Sequence, residues 1–252
     1  MVLRKINDVL DKTFGIRIEK SLKTNIKPQN TDEPIFIEFI GPSGVGKTTL
    51  FKKMKELNKN NSWIGIKEYY KFKANKGKYN RDFKLYESLI DYKIKNISQA
   101  DFDAYKKLRL LSFFYKKLKE ELFARSTNDE FAIVLEDGIF HNFTPEFIRL
   151  SEEKSDSFKR LLQKRAFVFL HAPPEYNARN ILKRKKETGA IRPQHEKLNN
   201  EELISRQTQV LRTKQKLITI IDTFEIPILK IDTSEDLMIN AQKINGFIEE
   251  LR

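Results

Sequence analysis

Cysteine is missing from all 252 residues, which removes disulfides, thiolate metal sites and a cysteine nucleophile together, and suits a reducing compartment. No apolar run approaches the roughly 20 residues that a membrane-spanning helix needs, and the N-terminus lacks the apolar core of a signal peptide. A cytoplasmic protein is the expectation. Internal repeats and low-complexity tracts are absent, and the three histidines, His141, His171 and His195, do not fall at a metal-ligand spacing. His171, at the end of an apolar run, reads as a satisfied buried histidine. Trp63 and the phenylalanines read as core. No serine-hydrolase elbow stands out.

Charge is present in excess of one sign. The net charge is +13, and its location is informative: residues 51–125 carry twenty basic and nine acidic side chains, whereas 126–252 hold twenty of each. A basic stretch of this kind suits an anionic partner or a solvated lysine-rich surface.

The chain divides at about residue 33. Residues 2–14 place Ile6, Val9, Leu10 and Phe14 at helical spacing, which predicts a short amphipathic helix, and the polar stretch to 33 reads as a linker. Residues 34–252 form the expected body. Strands are predicted at 35–40, 62–70, 131–137, 166–173 and 226–232. Helices are predicted at 47–57, 81–98, 101–125, 144–163, 174–186, 200–223 and 235–251. Continuous apolar strands alternating with helices imply an α/β fold, a parallel sheet covered on both faces.

The segment Gly41-Pro-Ser-Gly-Val-Gly-Lys-Thr48 matches the P-loop pattern and lies where it should, after an apolar strand and before a helix. Its glycines let backbone N–H groups wrap phosphate oxygens, and the helix N-terminus adds the positive end of its dipole. On this reading Ser43, Gly44, Val45, Gly46 and Thr49 complete the cradle, Lys47 reaches the β- and γ-phosphates, and the Thr48 hydroxyl ligates magnesium. The nucleotide expected is ATP with Mg2+. A second acidic group is needed near the metal, and FAIVLED ends in two candidates. Asp137 is the first choice for the magnesium-side or acceptor-activating role, with Glu136 close behind.

The order of elements resembles the nucleoside monophosphate kinase group, thymidylate kinase most closely, over about 34–250. Besides the P-loop, the resemblance rests on HAPPEYNARNILKRKKETG, on the polar loop 187–198 with Arg192, and on IPILKIDTSED. It implies a three-layer P-loop sandwich with five parallel strands in the order 2-3-1-4-5. It also implies a helical acceptor-side region at 69–127, a lid at 187–198, and an adenine-side loop at Asp232, Thr233 and Ser234. Carried over, Arg179 with Lys183 or Arg184 would stabilise charge on the transferring phosphoryl group; helical spacing groups Arg179 with Lys183 more nearly than with Arg184. The departures lie on the acceptor side. Where thymidylate kinases read Asp-Arg-Tyr, this chain reads Asp137-Gly138-Ile139, and their Arg-Glu-Pro is only echoed by Lys67-Glu68-Tyr69. The sequence therefore reads as a phosphotransferase with a diverged acceptor, an anionic small molecule or a glycan.

The guanine motif of signalling GTPases and the Leu-Ser-Gly-Gly signature of ABC ATPases are absent. Sulfotransferases usually lack the complete Gly-Lys-Thr ending. The rival reading is a nucleotide-dependent ATPase or switch whose basic region holds nucleic acid or a membrane surface. Tyr69, Tyr70, Phe72 and Tyr79 interleave with its lysines, but no nucleic-acid module accompanies them, and nucleic acid is not the expected partner. A homodimer and a peripheral membrane contact through residues 2–14 are both compatible with the sequence.

Overall fold

The computed structural model describes residues 34–73, 83–126, 131–189, 195, 196 and 198–252. The helix expected at 2–14, its linker and most of the lid lie outside them.

Five parallel strands form one sheet: β1 (Ile35–Ile40), β2 (Trp63–Gly65), β3 (Ala132–Leu135), β4 (Arg165–His171) and β5 (Ile228–Asp232). Their order is β2-β3-β1-β4-β5, with Glu38 of β1 paired to Leu135 on one side and Phe167 on the other. The sequence-derived fold and strand order are thus observed. β1 is central and almost wholly buried, so its apolar run has no polar face to offer.

Helices cover both faces. Strand alternation sends Ala166, Val168 and Leu170 to a layer made by α1 (Lys47–Leu57) and the closing helix α10 (Leu237–Glu250), where Leu50, Met54, Ile244 and Ile248 pack. Phe167 and Phe169 point the other way, into a phenylalanine-rich core with Phe140, Phe143, Phe147 and Phe158. That core is closed by α3 (Glu87–Gln99), α4 (Ala104–Arg125), α6 (Thr144–Glu152), α7 (Asp156–Leu162) and α9 (Asn200–Asp222). The remaining helices are α2 (Ile66–Lys73), the single turn α5 (Ile139–Asn142) and α8 (Pro174–Thr188). Trp63 is core as expected, its indole N–H donating to Asn245 at 3.0 Å.

Three local expectations are corrected. The strand expected over 62–70 ends at Gly65, because Ile66 and Tyr69 bury on one face of α2, with the Tyr69 ring 5.9 Å from Phe123. The single helix expected over 144–163 is broken in two: Lys154 takes left-handed backbone (φ 52) and the Ser155 N–H bonds back to the Leu150 carbonyl at 3.1 Å. His171 is only partly buried, at the open end of β4.

Candidate active site

At the carboxyl end of β1 the chain turns through the glycine loop into α1. Gly44 and Gly46 are both left-handed, with φ 80 and 93. A side chain at Gly44 would also strike the Asn177 carbonyl, 2.3 Å from where its Cβ would sit, so α8 presses directly on the loop. Asn180 of α8 completes that contact, donating from Nδ2 to the Gly44 carbonyl at 2.9 Å. The Lys47 ammonium folds back over the loop and donates to the Gly41 and Pro42 carbonyls at 3.0 and 2.9 Å. The loop is therefore preformed, with its cation held at its own mouth.

The loop opens onto a cavity of about 630 Å³. Ser43 to Thr49 form its floor, with Glu136 and Asp137 to one side, Lys183 and Arg184 of α8 on another, and Thr233 at the end of β5. Arg179 is not brought there; its guanidinium lies 5.3 Å over the Tyr176 ring and it lines a separate hollow with Leu182 and Ile204. The phase of α8 decides this. Ala178 and Ile181 pack against Leu203 of α9, which turns Asn180, Lys183 and Arg184 to the cavity and Arg179 away. Asp232 and Ser234 do not line the cavity and bond to each other: the Ser234 hydroxyl and N–H both donate to the Asp232 carboxylate, at 2.6 and 2.9 Å, and hold it below the usual carboxylate range. Arg192 lies outside the described residues.

Tyr176, Asn180, Glu187, Glu235, Leu237 and Asn240 also line the cavity and were not expected from the sequence. Asn180 was detectable, since an asparagine four residues before Arg184 shares its helix face.

The two acidic residues divide. The Thr48 hydroxyl donates to the Glu136 carboxylate. Asp137 stands one residue on, with its Oδ1 3.4 Å from Nε2 of His141. Thr48 and Glu136 together offer hard oxygen donors at the floor of the cavity, a set that fits magnesium, which takes one or two protein ligands and fills its shell with water and phosphate oxygens. Among the described residues there is no cluster of three or more His, Asp or Glu of the kind an all-protein metal cage needs.

Behind Asp137 lies a charged network that sequence analysis missed. Glu38 and Arg165, both fully buried, pair at 2.7 Å; Arg165 also pairs with Glu121, which Arg125 meets at 3.1 Å. Burial pushes the Glu38 carboxyl up to about 7 against the opposing pull of Arg165. Its other oxygen accepts the His141 amide at 2.6 Å. Gly138 is pressed on this carboxylate so closely that a Cβ there would come within 2.3 Å of the Glu38 Cδ. Any side chain at position 138 would displace this carboxylate. A charged residue in the middle of IFIEFI was the signal.

No family model matches the chain, and no curated protein does. Among solved structures it is similar to a deoxyadenosine kinase from M. mycoides with bound dCTP (12% identity, TM-score 0.45, covering 86% of this chain and 100% of that one). It is also similar to a shikimate kinase from Bacteroides thetaiotaomicron (16%, 0.42, 85% and 98%) and to a gluconokinase from Sinorhizobium meliloti 1021 (15%, 0.39, 87% and 94%). Likenesses this distant say nothing about the acceptor or the site residues. Among the described residues no helix is long and apolar enough to cross a membrane.

Proposed function

We propose that this chain is a P-loop phosphotransferase that moves the γ-phosphoryl group of ATP, with magnesium, to an anionic small-molecule or glycan acceptor. The observation that carries the reading is convergence: a preformed phosphate loop, a Thr48–Glu136 oxygen pair and two helix-borne cations, Lys183 and Arg184, meet in one cavity. The loop N–H groups hold the phosphates, and Lys47 exchanges its two carbonyl partners for phosphate oxygens when they arrive. Thr48 and Glu136 would hold magnesium, which would supply charge neutralisation to the triphosphate. Lys183 and Arg184 face the transferring group from α8 and stabilise its developing charge. Asp137, on the acceptor side, accepts the proton or orients the acceptor. Thr233, which lines the cavity after β5, would take the side of the base.

The test is transfer of label from γ-labelled ATP across nucleosides, nucleotides, sugars and lipid-linked glycans. A labelled product is expected from wild type and none from Lys47→Ala, with the fold unchanged. Thymidine monophosphate is expected to be a poor acceptor, since Gly138 offers no cation to clamp it.

A second reading draws on α4. Its outward face carries Tyr105, Leu108 and Phe113, all exposed, beside Arg109 and Lys116. A nucleotide-driven switch that docks this face on nucleic acid or a membrane would hydrolyse ATP without labelling any acceptor. Tight binding to single-stranded nucleic acid that falls steeply with salt, and no labelled product, selects it.

A further inference from the structure

Asp137 sits in a turn that the sheet does not hold. β3 ends at Leu135, and residues 136–138 have no ladder partner. Side chains hold the turn instead. Asn142 Nδ2 donates to the carbonyls of Asp137 and Gly138, at 3.0 and 2.8 Å. His141, whose imidazole approaches Asp137, has its main chain pinned from two directions: its amide by Glu38 of β1, and its carbonyl by the Lys214 amine of α9, which also reaches the Thr144 hydroxyl at 2.5 Å.

Lys214 is only 8% exposed, and burying an amine costs several kcal/mol unless its donors are satisfied. The other buried residues of α9 are Leu203, Gln207, Leu217, Ile218 and Ile221, so most of this face is aliphatic and Lys214 is its one buried cation. Burial and the nearby Lys47 charge pull the ammonium down to about 7.

We infer that Lys214 is a positioning residue for phosphoryl transfer: from α9 it holds the His141 carbonyl, so that His141 stays against Asp137 and Asp137 keeps its aim into the cavity. This rests on the phosphotransferase reading. It gives a residue 77 positions further along the chain a role in orienting the acceptor-side carboxylate, and it explains why a cation is kept in an apolar helix face.

A double-mutant cycle on turnover of γ-labelled ATP with magnesium, water serving as acceptor, tests the inference. Lys214→Met is expected to lower turnover about tenfold with ATP affinity unchanged within about twofold, and Asp137→Asn about a hundredfold. If Lys214 acts through Asp137, the double variant falls no further than Asp137→Asn within about twofold, whereas independent effects multiply to about a thousandfold. Multiplied losses, or a folded Lys214→Met at the wild-type rate, overturn the proposal. Should the methionine variant not fold, Lys214→Gln carries the same cycle, with an expected loss of about fivefold that vanishes in the Asp137→Asn background. A wild type that neither releases phosphate from ATP nor labels any nucleoside, nucleotide, sugar or glycan acceptor overturns the phosphotransferase reading itself, an outcome distinct from multiplied losses in an active enzyme.

Discussion

On the proposed reading the cavity has a donor wall and an acceptor wall, and the two are built by different means. On the donor side, eight consecutive residues from Gly41 to Thr48 make the cradle, and one helix, α8, braces it through Asn180 and supplies Lys183 and Arg184. On the other side only Asp137 of its network, in the turn after β3, reaches the cavity, and it is backed by Glu38 of β1, Arg165 of β4, Glu121 of α4 and Lys214 of α9, no two of which are neighbours in sequence. A local motif tolerates divergence around it, because its geometry comes from its own backbone. A distributed network leaves less room: Glu38 fills the space beside Gly138, so a side chain there would displace the buried carboxylate.

The largest expected effect that separates the walls is on the acid pair. Asp137→Asn is expected to lower turnover about a hundredfold at saturating magnesium, with little change in ATP affinity. Glu136→Gln, which loses the partner of Thr48, is expected instead to raise the magnesium concentration needed by about tenfold. Steady-state rates across a magnesium series distinguish the two, and identical profiles would merge the roles assigned to them.

Next comes stability on the acceptor side. Gly138→Ala drives a methyl group into the Glu38 carboxylate and is expected to cost about 2–3 kcal/mol, read as a shift in the urea midpoint. A midpoint unchanged from wild type would mean that the network yields and does not exclude side chains.

A smaller effect sharpens the donor side. Arg184→Ala is expected to reduce turnover roughly tenfold and Arg179→Ala less than about twofold, since only the former faces the cavity. Equal losses would place Arg179 at the chemistry despite its position over Tyr176.

The smallest is a pH effect. Lys214 is pulled down to about 7 from an ordinary lysine value of 10.5, so between these values the unfolded chain binds the proton that the folded chain releases. Its contribution to stability is full above 10.5 and is lost as pH falls through 7. From pH 7 to 9 wild type is therefore expected to gain on Lys214→Met by about 1 kcal/mol per pH unit, measured by urea unfolding. Parallel curves would show an amine without that shift.

What the sequence revealed follows the same division. The glycine loop, β1, β3 and the acidic pair were legible, because each is a contiguous pattern with a local physical cause, whereas the strand order came only from the resemblance to nucleoside monophosphate kinases. The facing of α8 was legible only in part: Arg179 and Lys183 share a hollow as helical spacing groups them, but the packing of Ala178 and Ile181 on Leu203, a contact between two helices, is what brings Lys183 and Arg184 to the main cavity without Arg179. The early end of β2 was hidden for a similar reason, since Tyr69 turns inward only because Phe123 of α4 waits there. Lys214 could not be separated by pattern from the other lysines of a basic chain; only the fold places it on His141.

The claim on which everything else depends is that the loop at Gly41–Thr48 binds a magnesium-complexed triphosphate through Lys47. Calorimetric titration of Mg·ATP into wild type and Lys47→Ala measures it directly. Wild type is expected to bind with a Kd on the order of 10⁻⁵ M. Lys47→Ala is expected to bind at least about thirtyfold more weakly, the loss of roughly 2 kcal/mol of charge-assisted hydrogen bonding. No binding by wild type, or the same affinity in both proteins, would contradict the account.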